Sequence, residues 1–230
     1  QDAVAAAVSY PSDVVLLPED SRFTMNFATP DEALEWLITD TNSRTTMVID
    51  TARVETVHGH AVLRAYLYDL VAGSYERIDK QYLVPHGEYL PYVHQIPIRL
   101  FANDAQQERL YSDLSYRPGS FNQSAINDPS VPGLLFCMES VSPIGVRTAL
   151  DRTERPAYVV HPTSHAWFNE PRLLWPNLNR MLLVQSVWNR VPIISAGNMN
   201  PGLLYLPSGE IVGVPALQSQ PAWAIKQYIF

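Results

Sequence analysis

The chain opens with short apolar runs separated by turn residues. Residues 1–10 are rich in alanine and read as the tail of a helix. Asp13-Val14-Val15-Leu16-Leu17 reads as a buried strand that stops at Pro18. Thr29-Pro30-Asp31-Glu32 starts a helix that continues to about Thr41: Thr29 suits the N-cap, Pro30 the first helical position, and the acids the first turn. β-Branched content and alternation predict strands over residues 45–51, 61–70 and 74–79. Residues 85–132 contain repeated prolines and read as a long, mostly irregular excursion, of the length that lids and binding loops have.

Beyond it, residues 133–138 read as a second buried strand, 158–161 as a short strand and 172–190 as a long helix closed before Pro192. Strands follow over 192–195 and 203–206, with Pro207-Ser208-Gly209-Glu210 as a hairpin turn between the closing strands. Helices alternate with strands, and some strands are joined as hairpins. That pattern predicts one α/β domain over residues 1–230, with mixed rather than purely parallel sheets.

Composition narrows the function. The chain is 47% hydrophobic and 17% charged, which suits a packed core and excludes disorder. Sixteen basic against 23 acidic residues, with no Lys/Arg run, argue against a nucleic-acid binder, which needs a basic stripe. No apolar stretch approaches the length of a membrane span. The start, Gln1-Asp2-Ala3-Val4, carries no signal pattern, and the chain reads as a segment of a longer protein. The one cysteine, Cys137, excludes an intramolecular disulfide and a Cys-rich zinc site. Two lysines, Lys80 and Lys226, stand against 14 arginines. A lone lysine in an arginine-using chain points to a task for a compact point charge.

Three reactive groups fall at carboxyl ends of predicted strands, where α/β sheets place their sites: Glu19, Lys80 and Cys137. Each has an ordinary reading alone, as a surface acid, a solvated strand-end charge and an inert core thiol. Together they form an acyl-transfer set: a carboxylate to take the thiol proton, a thiol nucleophile, and a cation for the developing oxyanion. His58 and His60 would share a face of a strand, but no third ligand accompanies them, so they are read as ordinary histidines and no metal is expected. No Gly-rich phosphate loop occurs.

The order and surroundings of these residues resemble the nitrilase, or carbon–nitrogen hydrolase, superfamily. Pro18-Glu19 is similar to the family's P-E, and Cys137-Met138-Glu139 to its C-Y-E. The string Lys80-Gln81-Tyr82-Leu83-Val84-Pro85-His86-Gly87-Glu88-Tyr89-Leu90-Pro91 resembles the lysine segment of the apolipoprotein N-acyltransferases, and Ser164-His165-Ala166-Trp167-Phe168 their N-D-A-W-F. Departures are Met138 for Tyr, Ser164-His165 for Asn-Asp, and Trp188 near the place of a helix glutamate.

The resemblance implies an α-β-β-α sandwich of two mixed sheets. It implies a strand and helix ahead of Pro18, so with 17 preceding residues the first sheet is expected to lack its opening strand. It assigns Glu19 as general base, Lys80 as oxyanion partner and Cys137 as nucleophile. Glu88 and Glu139 would be supporting acids, and the Met138 backbone N–H an oxyanion donor. Lys80 beside Cys137 is expected to favour the thiolate. Tyr89, Trp167 and Phe168 are candidates for an acyl pocket. No cofactor is implied.

Three functions follow. The first is an extracytoplasmic acyltransferase domain, attached to the inner membrane through flanking helices. It would pass an acyl chain from a phospholipid donor to a lipoprotein N-terminus through a Cys thioester. The second is a soluble amidase or nitrilase, with water as acceptor. The third is a non-catalytic relative in a membrane assembly such as a conjugal-transfer apparatus.

Overall fold

The computed structural model describes residues 1–230 except 59, 86, 114–115, 166–173, 199–200, 221–222 and 230. The first half builds a sheet from β1 (Ser12–Leu16), β2 (Thr45–Val57), β3 (His60–Asp69) and β4 (Ser74–Asp79), in that spatial order. β1 runs parallel to β2, and the β2–β3 and β3–β4 pairs are antiparallel. The second half builds a sheet from β5 (Gly133–Leu134), β6 (Val159–Ser164), β7 (Ile193–Asn198), β8 (Leu203–Tyr205) and β9 (Ile211–Val212), again in chain order. β5, β6 and β7 are parallel, and β7–β8 and β8–β9 antiparallel. A small hairpin, β10 (Gln218–Gln220) with β11 (Trp223–Ile225), follows.

Period-two alternation sorts the strand residues into layers. Met47, Ile49, Ala65, Leu67 and Ile78 of the first sheet meet Leu134, Phe136 and Val160 of the second in one buried cluster, so the sheets pack face to face. Their neighbours Val48, Tyr66 and Tyr68 point outward, against α1 (Asp2–Val8) and α2 (Pro30–Thr39). Leu135, Val159 and Ile193 point outward on the other side, against α5 (Pro143–Leu150) and α6 (Leu174–Asn189). The result is the α-β-β-α sandwich. β1 is an edge strand, and a groove of about 1830 Å³ runs beside it, lined by Val14, Leu16, Ile194 and Asn198 among others.

Several elements differ from their sequence expectation. The excursion 85–132 holds two helices, α3 (Tyr92–Phe101) and α4 (Asp104–Asp113); Pro97 lies inside α3, and Tyr92, Val93, Ile96, Leu100 and Phe101 face solvent, so neither proline rules nor amphipathic burial reveal it. β2 runs on to Val57 through a bulge between Asp50 and Arg53. β6 extends through Pro162 to Ser164. The N–H groups of Val159 and His165 bond β7, at Pro192 and Asn198, so by alternation Pro162 turns its missing donor the other way, where β5 has already ended. His58 occupies the turn between β2 and β3 at φ 49°, so it shares no strand face with His60. Among the described residues no cluster of His, Cys, Asp or Glu could hold a metal, and no helix is long and apolar enough to cross a membrane.

Candidate active site

The loop that carries Cys137 is made where β5 stops. Leu134 exchanges two 2.9 Å bonds with the side chain of Gln123, and the Leu135 N–H still bonds Val160, but the expected strand over 133–138 ends there. A 3-10 turn, Cys137–Val141, takes over, and Cys137 itself sits at φ 35°. A left-handed conformation on a non-glycine residue costs about 1–3 kcal/mol and persists only where its surroundings hold it. The holders are visible. The Cys137 carbonyl accepts from Ser140 Oγ at 2.8 Å and from His161 Nε2 at 2.7 Å. Its Sγ accepts from Thr163 Oγ1 at 3.4 Å and from the Ser164 N–H.

Glu19 follows β1 in a turn that uses left-handed conformations at Asp20 and Arg22. Asp50 on β2 pins this turn by accepting from Ser21 Oγ and from the Thr24 N–H and Oγ1 at 2.8 and 2.6 Å. Asn198, at the end of β7, donates to the Glu19 carbonyl at 2.9 Å, so the two sheets jointly fix the residue.

Lys80 follows β4. Its N–H bonds the Leu63 carbonyl, and Asp79 before it forms a buried two-pronged pair with Arg64, at 2.6 and 3.1 Å. A Cβ on Gly119 would fall 2.1 Å from Asp79 Oδ2, so only glycine fits beside that pair. The Val84–Tyr89 turn brings Glu88 back: one of its carboxylate oxygens accepts from the Val84 N–H, the other from Lys80.

These elements bring Glu19, Lys80 and Cys137 together. Lys80 Nζ lies 3.5 Å from Glu19 Oε1 and 2.5 Å from Glu88 Oε1, and the Glu19 carboxylate lies beside the Cys137 thiol. All three residues are buried, Lys80 at 1% exposure. Burial works against the ammonium, but Glu19 and Glu88 outweigh it and hold Lys80 above the usual lysine range. Burial raises the Glu19 carboxyl, with Lys80 and the thiol opposing.

The thiol corrects one expectation. Burial first, and the Glu19 charge next, push Cys137 up to about 12, beyond what Lys80, Thr163 and Ser164 offset. Cys137 therefore rests as a thiol, and the lysine field alone does not make it a thiolate.

Glu139 spans two segments. One oxygen accepts from the Gln81 and Tyr82 N–H groups at 2.8 and 3.0 Å, the other from the Phe136 N–H at 3.0 Å. Burial raises its carboxyl despite these donors. Met138 is the second residue of the 3-10 turn, in the first turn of which N–H groups have no partner within the helix. Tyr89 is half-buried at the foot of the Glu88 turn, and Trp167 and Phe168 lie outside the described residues. Trp188 is exposed on α6. His165 is buried edge-on against Trp175, with ring centroids 4.1 Å apart and no hydrogen-bond partner on either ring nitrogen among the described residues; burial lowers its pKa.

Sequence reading missed His161, Thr163 and Ser140. His161 and Thr163 alternate on one face of β6, which runs beyond the short strand expected over 158–161.

The fold is that of the nitrilase, or carbon–nitrogen hydrolase, superfamily. An amidase from Nesterenkonia sp. superposes with a TM-score of 0.59 at 18% identity, over 93% of this chain and 78% of that one. A carbon–nitrogen hydrolase from Helicobacter pylori G27 gives 0.58 at 12% identity, over 86% and 72%. In sequence, the chain is 28% identical over 142 residues to an apolipoprotein N-acyltransferase of Geobacter metallireducens, covering 61% of this chain and 25% of that protein. The chain thus spans about a quarter of the length of that relative. No family model matches.

Proposed function

We propose that this domain transfers acyl groups through a thioester on Cys137. The observation that carries the reading is the buried convergence of a thiol, a carboxylate beside it and a doubly paired lysine. Glu19 takes the Sγ proton as sulfur attacks the acyl carbonyl carbon. The carbonyl π electrons move to oxygen, and that charge is met by the Lys80 ammonium and the Met138 N–H. Collapse breaks the bond to the leaving group, which recovers the proton from Glu19, and a thioester remains. An amine then attacks the thioester and surrenders a proton to Glu19, and the thiol is restored.

An amine acceptor is favoured over water by the segment from Lys80 to Pro91 and by the likeness to the Geobacter acyltransferase. With a lipid donor and a lipoprotein acceptor, the domain would work beside the outer face of the inner membrane. The test is incubation with phospholipid vesicles and a peptide bearing a diacylated N-terminal cysteine. Acylated peptide supports the reading. Free fatty acid without acylated peptide makes the protein a hydrolase, and neither product removes the catalytic reading for these substrates.

A further inference from the structure

We propose that His161 is a positioning residue that aims the oxyanion-binding N–H of Met138, with Ser195 holding its ring in place. The inference rests on the acyl-transfer reading above. His161 is fully buried on β6, with Nε2 2.7 Å from the Cys137 carbonyl oxygen and Nδ1 3.0 Å from Ser195 Oγ on β7. A carbonyl only accepts, so Nε2 carries the proton; in the neutral ring Nδ1 then accepts from the Ser195 hydroxyl. Burial lowers the ring pKa to about 4, which keeps it neutral near pH 7.

The Cys137 carbonyl and the Met138 N–H belong to one peptide plane and point in opposite directions across it. Whatever fixes the carbonyl therefore fixes the N–H. Two donors do so, Ser140 Oγ from within the turn and His161 from the neighbouring strand. Among the described residues, His161 is the one that ties that plane to the framework of β6 and β7. Donation into the carbonyl also polarises the amide and strengthens its N–H as a donor. His161 touches neither substrate nor sulfur in this arrangement; it acts through the peptide that does.

The test separates reactions that build an oxyanion from one that does not. Thioester formation with an activated acyl ester needs the Met138 N–H; alkylation by iodoacetamide, a direct displacement at carbon, does not. In His161→Phe, acylation of Cys137 is expected to fall about 10²-fold, the scale of losing one oxyanion donor, while alkylation stays within about twofold of wild type. His161→Gln, whose amide nitrogen reaches the Nε2 position, is expected to restore most of the acylation rate. Ser195→Ala is expected to lower acylation several-fold with alkylation unchanged, and it serves if His161→Phe does not fold. Acylation at the wild-type rate in His161→Phe would overturn the proposal. So would equal losses of acylation and alkylation, no recovery in His161→Gln, or, where Phe does not fold, undiminished acylation in Ser195→Ala. Wild-type protein that forms no thioester contradicts the acyl-transfer reading instead, so the two failures are distinct.

Discussion

The carboxylate of Glu139 accepts a hydrogen bond from the backbone N–H of Gln81 at 2.8 Å, across 58 residues of chain. With the Tyr82 and Phe136 N–H groups on the same carboxylate, one side chain holds the lysine segment against the nucleophile loop. Glu139→Gln replaces one acceptor oxygen by a donor that confronts N–H groups. It is expected to cost about 1–3 kcal/mol, the penalty for a buried donor left unsatisfied, and to slow acylation of Cys137. Denaturant midpoints and labelling rates check both; unchanged values in both would show that the tie is idle.

The Glu19 charge raises the Cys137 thiol, and under the proposed mechanism the same group is its base. Removing a neighbouring negative charge favours the thiolate, so Glu19→Gln is expected to move the thiol titration below its wild-type position near 12. The same variant loses its proton acceptor, so it pairs an easier ionisation with a slower acylation. Alkylation rate against pH reads the first effect. A midpoint that rises or stays put would contradict the placement of Glu19 beside the sulfur.

Lys80 is enclosed by Glu19 and Glu88 and has almost no exposed surface. Lys80→Arg keeps the charge but introduces a larger planar group that cannot occupy the same point. Acylation is expected to fall by about 10²–10³-fold, as for loss of an oxyanion donor. An undiminished rate in stopped-flow or quenched mass measurements would remove Lys80 from the mechanism.

Gly145 lies in α5 against the nucleophile turn, where a Cβ would fall 2.4 Å from the Glu139 carbonyl oxygen. The obstructing atom is backbone, so Gly145→Ala must displace the turn or the helix. A loss of about 1–3 kcal/mol, the usual scale of overpacking, is expected in thermal or denaturant unfolding. Stability within error of wild type would show that α5 does not buttress Cys137.

Much of this was legible in the sequence because local pattern and tertiary role agreed. Thr29 does cap α2, its side chain accepting from the Glu32 N–H at 3.2 Å, and Pro30 opens the helix. The strands expected around Val48 and Tyr66 have two faces that feed different cores. The sequence places Glu19, Lys80 and Cys137 near strand ends, where chemistry concentrates, and the structure brings the three together. Other features were hidden for physical reasons. α3 buries no apolar stripe, so its pattern has no inward face to reveal. The turn at Cys137 depends on His161 and Ser140 holding a left-handed residue, which propensity does not encode. The thiol's high pKa comes from burial and from the sign of the nearest charge, and neither is set by spacing along the chain.

The central claim is that Cys137 becomes acylated with Glu19 as the base. Intact-mass analysis after incubation with an activated acyl ester tests it most directly, on wild type, Cys137→Ala and Glu19→Gln in parallel. The expected result is one acyl adduct on wild type, released by hydroxylamine as a thioester is, with none on Cys137→Ala. In Glu19→Gln the same adduct should form about 10²–10⁴-fold more slowly, the range for loss of a general base. No adduct on wild type, an adduct that persists in Cys137→Ala, or wild-type kinetics in Glu19→Gln would contradict it.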